Sequence, residues 1–160
     1  MEKNRPNDKK KASESMVQME QLILPNDANM LNNLFGGRLL QWIDAAGAMA
    51  AMKHSRKEVV TVAVDSVEFR HPVRVGDMVK LNAKVTWTGR TSMEVKVNVF
   101  CEKPKTGEII KTNKAFMTLV ALDENGMPAP VPELVPETDE EIEDNRKAEE
   151  RIKTRLSGKR

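Results

Sequence analysis

Residues 39–52 read LLQWIDAAGAMAAM, an apolar run in which the two polar side chains are Gln41 and Asp44. Leucine, alanine and methionine favour the helix, and a helix that is apolar on every side is normally buried. An ionised carboxylate in a buried helix is costly unless it is paired, hydrated or hydrogen-bonded. We therefore expect a central buried helix, and we expect Asp44 to be buried within it for a chemical reason.

The polar side chains of this run fall on one stripe of the helix. Gln41 lies three residues and Gly37 seven residues before Asp44, which places all three on the same face. The stripe continues forward over small residues, namely Gly47, Ala48 and Ala51. Small side chains allow a second backbone or an apolar ligand to come close. The stripe therefore indicates helix packing across a dimer, a binding surface, or both.

Two glycines open the helix. The first N–H groups of a helix have no partner within it and lie at the positive end of its dipole. At Gly36 and Gly37 no Cβ hinders a ligand oxygen from approaching these groups, as in an oxyanion hole for acyl transfer. A sharp turn into the helix also needs the backbone freedom of glycine. The residues alone leave both interpretations open.

Asp44 also allows two interpretations. A carboxylate in apolar surroundings is a better base than one in water, and it can activate a water molecule or attack a carbonyl carbon itself. The alternative is a structural aspartate hydrogen-bonded to a neighbouring loop. Upstream, Asn29 is either a turn former or an amide that orients water or polarises a carbonyl group.

Composition limits the class of protein. A chain of 160 residues suggests one domain, and a net charge of +2 argues against nucleic-acid binding. The single cysteine cannot form an internal disulfide, and no secretory leader or membrane span is visible, so we expect a cytoplasmic protein. Two histidines and one cysteine, widely spaced, make no metal-binding set, so no metal is expected.

The order of elements predicts an α+β domain. Residues 1–14 are polar and are expected to be a disordered tail, residues 15–136 form the single domain, and residues 137–160 form a charged, peripheral helix and tail. The central helix is expected to run to about Met52 and to stop in the basic stretch at residues 53–57. After it, apolar residues alternate with a period of two. Short connections between these strands predict an antiparallel meander.

Two strands and the helix carry further expectations. In the first strand after the helix, three alternating valines share one face: Val60, Val62 and Val64. The alternation then changes phase, which predicts a β-bulge near Asp65–Ser66. The last strand, at 109–122, is apolar on both faces near its end and is expected to be central. One sheet face cannot cover a helix that is apolar all round, so we infer an oligomer.

Several motifs follow one another along the chain. They are NDANMLNNLFGGRLLQWIDAAGA at 26–48, VVTVAVDSVEFRHPVRVGD at 59–77, TWTGRTSMEVKVNVF at 86–100, KTNKAFMTLVAL at 111–122 and VPELVPETDEEI at 131–142. In this order they resemble the hotdog-fold acyl-CoA thioesterases, the acyl-CoA hydrolase branch. The resemblance covers residues from about 22 to 145.

The resemblance implies a hotdog fold, in which an antiparallel sheet wraps around a long central helix. It implies hydrolysis of fatty acyl-CoA to free fatty acid and coenzyme A. No separate cofactor is expected, since coenzyme A is part of the substrate and the product. The resemblance also implies a homodimer whose two sheets join, and further assembly as a trimer of dimers.

The resemblance implies a role in the active site for each matching residue of this sequence. Asp44 matches the family's general base or nucleophile, and Asn29 matches an asparagine that comes from the opposite subunit. Thr61 matches a polar residue that faces the site. Gly36 and Gly37 match glycines whose N–H groups receive the thioester oxygen. The turn that commonly contacts coenzyme A matches Gly89, Arg90, Thr91 and Ser92.

Three further cations and one departure complete the comparison. Coenzyme A carries phosphates that favour basic side chains, and Arg70, Arg74 and Lys114 lie near strand ends. Asn32 stands where many family members have glycine, so we expect a local loop difference there rather than lost activity. Two other functions fit the same fold, namely a non-catalytic acyl-CoA sensor and a dehydratase. The dehydratase is disfavoured because no histidine lies near Asp44 in the sequence.

Overall fold

The computed structural model describes residues 8–65, 67, 68 and 70–158. The strands are β1 (Lys9–Lys11), β2 (Val17–Leu22), β3 (Glu58–Asp65), β4 (Met78–Thr88), β5 (Ser92–Glu102), β6 (Ile109–Leu122) and β7 (Glu133–Val135), and the helices are α1 (Gly36–Ser55) and α2 (Asp139–Ser157). Across these described ranges, neither helix is both long and apolar enough to span a lipid bilayer.

The architecture is α+β, as predicted, with a long helix against an antiparallel sheet. In the described part of the chain, the main sheet has the strand order β2-β4-β5-β6-β3, and α1 contacts all five of these strands. A sheet that touches one helix with every strand is wrapped around it, which is the hotdog arrangement. The last strand of the meander, β6, lies between β5 and β3, so its predicted central position is confirmed.

The predicted meander holds for β4, β5 and β6 but not for β3. Short turns join β4 to β5 and β5 to β6, and these three strands pair in sequence order. β3 instead pairs with β6 at the far edge of the sheet. The connection from Asp65 to Met78 is too long for a hairpin turn, and a long connection allows the chain to cross to the opposite edge.

The β-bulge of β3 lies earlier than the sequence predicts. Its register against β6 shifts between Thr61 and Ala63. The predicted position near Asp65–Ser66 is therefore wrong at Asp65, because this residue still pairs with Phe116 in the regular ladder. Ser66, the second residue of the predicted position, lies outside the described residues.

The bulge changes which side chains of β3 share a face. Val60 pairs with Val120, and Val64 pairs with Met117, three residues earlier in β6. Paired residues point to the same face and alternate along a strand, so Val60 and Val64 lie on opposite faces. The prediction that Val60, Val62 and Val64 share one face is wrong, because the shift in register falls between them.

The central helix is covered on one side by the sheet of its own chain. Its buried apolar residues are Leu39, Ile43, Ala46, Ala50 and Ala51, with Gly47 beside them. Gly47 packs against Met117 of β6, where a Cβ would collide with the methionine sulfur. Of the predicted small-residue stripe, Gly47 and Ala51 therefore face the chain's own sheet. The helix ends at Ser55, within the basic stretch at residues 53–57 where its end is predicted.

The opposite side of α1 is exposed in the single chain. This exposed stripe consists of Gly37, Leu40, Gln41, Asp44, Ala45 and Met52. Asp44 is therefore exposed in the single chain, and its predicted burial depends on a second chain that covers this stripe. The physical reason is geometric, because one curved sheet covers only one side of a helix. Gly37, Gln41 and Asp44 do share a face, as their spacing predicts.

The start of the chain is ordered where the sequence predicts a disordered tail. β1 pairs in parallel with β7, and Ala12–Glu14 form a short 3₁₀ turn. Lys10 Nζ donates hydrogen bonds to the backbone carbonyls of Lys53 (3.0 Å) and His54 (2.9 Å) at the end of α1. Carbonyls at a helix C-terminus lack partners within the helix, so Lys10 caps α1. The prediction is wrong from residue 9 onward, and residues 1–7 lie outside the described part.

His54 ties the end of α1 to the proline-rich strap at residues 128–136. Its side chain is fully buried, and Nε2 donates a hydrogen bond of 2.8 Å to the carbonyl of Pro132. Burial lowers the pKa of His54 because the charged imidazolium loses hydration. The nearby Lys10 ammonium lowers this pKa further. The folded protein therefore favours a neutral imidazole at this position.

Folding stability should fall as the pH drops below about 6.5, the usual pKa of histidine. The unfolded chain then binds a proton at His54 that the folded chain resists, so acid favours unfolding. Urea unfolding at several pH values between about 5.5 and 7.5 measures this slope. His54→Gln should flatten the slope, whereas His71→Gln, at the exposed histidine, should leave it unchanged. Equal slopes in wild type and His54→Gln would contradict this role.

The C-terminal helix lies on the outer face of the sheet, as the predicted peripheral helix. Thr138 caps it by accepting a 3.1 Å hydrogen bond from the backbone N–H of Glu141. Its apolar contacts are few. Ala148 is buried, but Ile142 and Leu156 stay exposed.

Charged side chains attach α2 to the sheet. Glu94 of β5 is fully buried and accepts two hydrogen bonds from Arg151, at 3.0 and 2.7 Å. Thr86 Oγ1 donates a third, at 2.7 Å, to the same carboxylate. Lys96 pairs with Asp144 at 2.5 Å, so two outward-facing positions of β5 hold the helix by charge. A peripheral helix is thus fixed by ion pairs rather than by an apolar seam.

Candidate active site

The structure joins two of the predicted site residues directly. Thr61 Oγ1 donates a hydrogen bond of 2.7 Å to Asp44 Oδ1. Thr61 lies at the register shift of β3, and such bulges often re-aim a side chain. The bond fixes one carboxylate oxygen against the sheet. It leaves Oδ2 as the oxygen that can take a proton from water or attack a carbonyl carbon.

The two glycines occupy the first turn of α1, as predicted. The backbone N–H groups of Arg38 and Leu39 both donate to the carbonyl of Phe35, at 3.0 and 3.2 Å. The N–H groups of Gly36 and Gly37 therefore lie ahead of the first hydrogen bond of the helix. A Cβ at Gly37 would lie 2.5 Å from Cε1 of the Phe35 ring, so the exposed ring would have to move to admit a larger residue here.

An ion pair fixes the loop that leads into α1. Arg38 Nε lies 3.3 Å from Asp27 Oδ1, and Arg38 Nη1 donates a 3.1 Å hydrogen bond to Gln41 Oε1. Asp27 Oδ2 accepts a 2.9 Å hydrogen bond from the backbone N–H of Leu24. Arg38 thus links the loop, the helix start and the polar stripe. Gln41 therefore takes part in the contacts that fix this loop against the start of α1.

Asn29 forms a turn with its side-chain oxygen. Oδ1 accepts hydrogen bonds from the backbone N–H groups of Leu31 (2.9 Å) and Asn33 (3.2 Å). This supports the turn-former interpretation. It does not remove the functional one, because the Nδ2 amino group remains the donor through which the exposed side chain can act. An amino donor polarises a carbonyl group or holds a water molecule by its oxygen.

Asn32 explains the departure from the family pattern at this loop. Its φ is 64°, in the left-handed region that glycine adopts most readily. Asparagine is among the residues that tolerate this conformation best. The backbone shape that glycine would give is therefore kept with asparagine. The loop is also held by the connection between β3 and β4, since Leu34 N–H donates to the carbonyl of Val73 at 2.6 Å.

The turn predicted to contact coenzyme A connects β4 and β5. Its backbone is engaged within the chain, with the carbonyl of Arg90 accepting from Val131 N–H (2.9 Å) and that of Thr91 from Ala121 N–H (3.0 Å). The Arg90 side chain is exposed. A Cβ at Gly89 would lie 2.8 Å from both Ser92 Oγ and the Trp87 ring, so close packing explains this glycine.

The other predicted cations are divided between two places. Arg70 and Lys114 line one cavity of about 310 Å³ beside β6. Arg74 lies instead in the segment before β4, where its N–H donates to Asp77 Oδ2 at 2.9 Å. Sequence reasoning missed Lys111 and Asn113, which line the same cavity as Lys114. The alternating pattern of β6 gave no reason to single them out.

Metal ligands are not grouped in the described part of the chain. No cluster of three or more His, Cys, Asp or Glu side chains comes together there. Cys101 is buried and free in the core strand β5.

Comparison with known proteins agrees with this geometry. The sequence model of the thioesterase superfamily matches residues 31–108. An acyl-CoA thioester hydrolase from Bacillus subtilis, YkhA, is 45% identical over 92% of this chain and 86% of its own length. The chain belongs to the acyl-CoA thioester hydrolases.

Solved structures of this family share the fold closely. A hexameric acyl-CoA thioesterase, solved without ligand, is 42% identical, with a TM-score of 0.91 over 94% of this chain and 96% of its own. An acyl-CoA hydrolase from Staphylococcus aureus, solved with butyryl coenzyme A, coenzyme A and its disulfide, is 35% identical, with a TM-score of 0.87 over 92% and 90% of the two chains. The hotdog fold of this acyl-CoA thioester hydrolase is thereby confirmed.

Proposed function

We propose that this chain hydrolyses fatty acyl-CoA to free fatty acid and coenzyme A, with Asp44 as general base or nucleophile. The observation that carries the proposal is the Thr61–Asp44 hydrogen bond on the exposed stripe of α1, two turns from the N–H groups of Gly36 and Gly37. A thioester is already an activated acyl group, so a carboxylate and oxyanion donors suffice to cleave it.

Two routes use the same atoms. As a base, Asp44 Oδ2 takes a proton from water while the water oxygen attacks the thioester carbon. The carbonyl oxygen becomes an oxyanion that backbone N–H groups stabilise, and its collapse breaks the C–S bond and releases the thiolate, which is then protonated. As a nucleophile, Oδ2 attacks the carbon itself and the thiolate leaves. Water then hydrolyses the mixed anhydride.

The spacing along α1 supports a site shared between two chains. Gly37 and Asp44 are seven residues apart, which is about 10 Å along a helix axis. Groups that act on one thioester carbonyl must each approach it to about 3–3.5 Å. One helix therefore cannot present both to the same carbonyl, even though helical side chains lean towards the N-terminus. A second copy of the chain is needed to complete the site.

The edge of the sheet offers a place for that second copy. β3 is an edge strand with β6 on one side, and Val60 and Val62 beside its open edge are exposed. Leu40 and Met52 on the exposed stripe of α1 add apolar area. An open edge beside an apolar surface is suited to pairing with another strand. We propose a homodimer along β3 and, from the hexameric relative, a trimer of dimers.

We also propose a cytoplasmic location. The fold uses no disulfide in its described part, and Cys101 is free and buried. Free thiols persist in a reducing compartment. The proposed product, coenzyme A, is itself a thiol and persists in reduced form in the same compartment. Cell fractionation with an antibody against the chain would measure this.

A panel of acyl-CoA substrates with detection of the released thiol tests the function. We expect release of one thiol for each acyl-CoA consumed, with a dependence on acyl chain length. An acyl-CoA sensor is the other candidate, because the same fold can hold the ligand without cutting it. Binding seen by calorimetry without thiol release would favour the sensor. Neither binding nor release with any member of the panel would contradict both.

Replacing Thr61 with valine should lower kcat by about tenfold or more, because a hydrogen bond to a charged group contributes about 1.5–3 kcal/mol. Without the Thr61 hydroxyl, Asp44 loses the bond that aligns it, so we expect KM to change little. Thr61→Ser keeps a hydroxyl and serves as the matched control, which should retain most of the activity. A Thr61→Val enzyme with wild-type kcat would show that this hydrogen bond does not position the carboxylate.

A further inference from the structure

Two apolar side chains project into solvent from the loop that leads into α1. Met30 is fully exposed and Leu31 is 79% exposed, and among the described residues no other large apolar side chain is as exposed as either. Both follow directly after Asn29, the predicted partner of Asp44. Single exposed apolar residues are common, but two neighbours at this exposure indicate a contact that one chain lacks. We call Met30 and Leu31 the loop tip.

Hydrogen bonds close the loop at its base and hold the tip outward. Ala28 and Leu34 form an antiparallel bridge, and the N–H of Asn29 donates to the carbonyl of Asn33 at 2.8 Å. The N–H of Leu34 also donates to the carbonyl of Val73 at 2.6 Å. The tip cannot fold back onto its own chain without breaking these bonds. It is therefore preorganised for a surface outside the chain.

A second copy of the chain is the partner that the site itself requires. The proposed mechanism places Asn29 at the Asp44 carboxylate of another chain. Consecutive Cα atoms are about 3.8 Å apart, so the Cα atoms of Met30 and Leu31 lie within about 8 Å of that of Asn29. A loop that brings Asn29 to the other chain therefore brings the tip to it as well.

The exposed stripe of α1 offers an apolar patch beside Asp44. Ala48 lies four residues after Asp44 and four before Met52, so all three share one face, and Ala45 lies beside them. Met52 is 40% exposed and Ala48 is half-buried, so the small side chain forms the floor of a depression. We call Ala45, Ala48 and Met52 the α1 patch. On both the loop and the helix, the apolar residues thus directly follow a polar residue of the site.

We propose that the loop tip of one chain packs on the α1 patch of a second copy and so positions Asn29 at that copy's Asp44. The proposal rests on the proposed function, which requires the second copy. Methionine is enriched at the centres of protein interfaces, and large apolar side chains that leave water favour association. In a two-fold dimer, each chain supplies one tip and one patch, so the contact forms twice. Met30 and Leu31 are positioning residues, since they act through Asn29.

Weaker association is the first expected result, and it needs no catalysis. Met30→Ser/Leu31→Ser chains should dissociate at protein concentrations about tenfold higher than wild type or more, since two large apolar side chains stay in water. The matched control is Ile142→Ser/Leu156→Ser, which removes two exposed apolar side chains from α2 and should leave association unchanged. Analytical ultracentrifugation over a dilution series measures dissociation, and circular dichroism checks the fold. Wild-type association of the tip variant would overturn the proposal.

Disulfide cross-linking tests where the tip lies. After subunit exchange, Leu31→Cys chains mixed with Ala45→Cys or Ala48→Cys chains should form an interchain disulfide, with oxidised glutathione as the oxidant. Such a bond requires the two Cα atoms to lie within about 7 Å. The native Cys101 is buried and should not react. Leu31→Cys mixed with Ile142→Cys is the control that should stay unlinked, and absence of the disulfide from both test mixtures would overturn the proposed contact.

Kinetics separate the positioning of Asn29 from general damage. At protein concentrations that keep all variants associated, loss of the tip should lower kcat about tenfold in chains with Asn29 and change it little in Asn29→Ala chains, which have no amide to position. Met30→Leu/Leu31→Met keeps both side chains apolar and should retain activity. An equal loss of kcat with and without Asn29 would overturn the positioning role.

The remaining outcomes are also decisive. A higher KM for long-chain acyl-CoA alone, with wild-type association, would assign the tip to the acyl chain of the substrate and overturn the proposal. An inactive wild-type chain would defeat the proposed function, whereas the dissociation and cross-linking experiments would still test the contact between loop tip and α1 patch.

Discussion

Replacing Asp44 with alanine should lower kcat for acyl-CoA hydrolysis by about a hundredfold or more, the range expected for loss of a general base. The carboxylate is the group that takes the proton from water or attacks the thioester. Because Asp44 is exposed in the single chain, its removal leaves no cavity in the core, and the fold should stay intact. Thiol release under saturating substrate measures kcat, and thermal unfolding checks the fold.

A matched control separates the role of this carboxylate from a general loss of charge. Glu124→Ala removes an exposed acid in the turn after β6 and should leave kcat unchanged. Asp44→Asn keeps the shape and an oxygen for Thr61, yet removes the basic carboxylate, so it should be nearly as inactive as alanine. Near-normal turnover in either Asp44 variant would rule out the proposed mechanism.

Mixing two inactive variants tests whether Asp44 and Asn29 come from opposite chains. In a mixed dimer of Asp44→Ala and Asn29→Ala chains, one of the two sites would receive both intact residues. Random exchange of subunits makes about half of the dimers mixed, so about a quarter of wild-type activity should return in a two-fold symmetric dimer. No recovery after verified subunit exchange would show that both residues act within one chain.

Replacing Arg151 with alanine should destabilise the protein by about 3–5 kcal/mol, the usual effect of leaving a buried charge unpaired. Arg151 supplies two of the three hydrogen bonds to the Glu94 carboxylate, which is fully buried. The guanidinium also lies 3.7 Å from the centre of the Phe116 ring, and this contact is lost as well. Urea unfolding measures the change in free energy.

Arg146 on the same helix is the matched control. It pairs with Glu143 and Glu150 on the solvent side of α2, where all three side chains are exposed. Exposed pairs contribute about 0–1 kcal/mol, so Arg146→Ala should be nearly neutral. A double replacement of Glu94 by glutamine and Arg151 by methionine should recover part of the loss, because no unpaired charge remains. If Arg151→Ala were as mild as Arg146→Ala, the buried pair would not hold α2.

Much of the fold was predictable because it depends on local patterns. The apolar run at residues 39–52 determines the central helix, and period-two alternation determines β4, β5 and β6. Alternation says which residues share a face, but it does not say which strands are neighbours. The crossing of β3 to the far edge depends on pairing with β6, which no local pattern encodes. The bulge at Thr61 was misplaced for a similar reason, since apolar residues continue through it.

The candidate site was predictable in its residues but not in its surroundings. The apolar helix pattern predicts that Asp44 is covered, and it does not say whether its own sheet or another chain covers it. The Thr61–Asp44 bond joins residues from two elements and follows only from the folded geometry. Lys111 and Asn113 looked like ordinary strand residues, because the cavity beside them exists only where β3 and β6 separate.

The parallel pairing of β1 with β7 has a consequence for the order of folding. It joins Lys9, at the beginning of the chain, to Glu133, near its end, and contacts so distant in sequence form late. During synthesis on the ribosome, Lys10 has no docked strand to hold it over the end of α1 until the strap has emerged. The nascent chain therefore carries a helix with uncapped carbonyls and an uncovered His54 until the strap has been made.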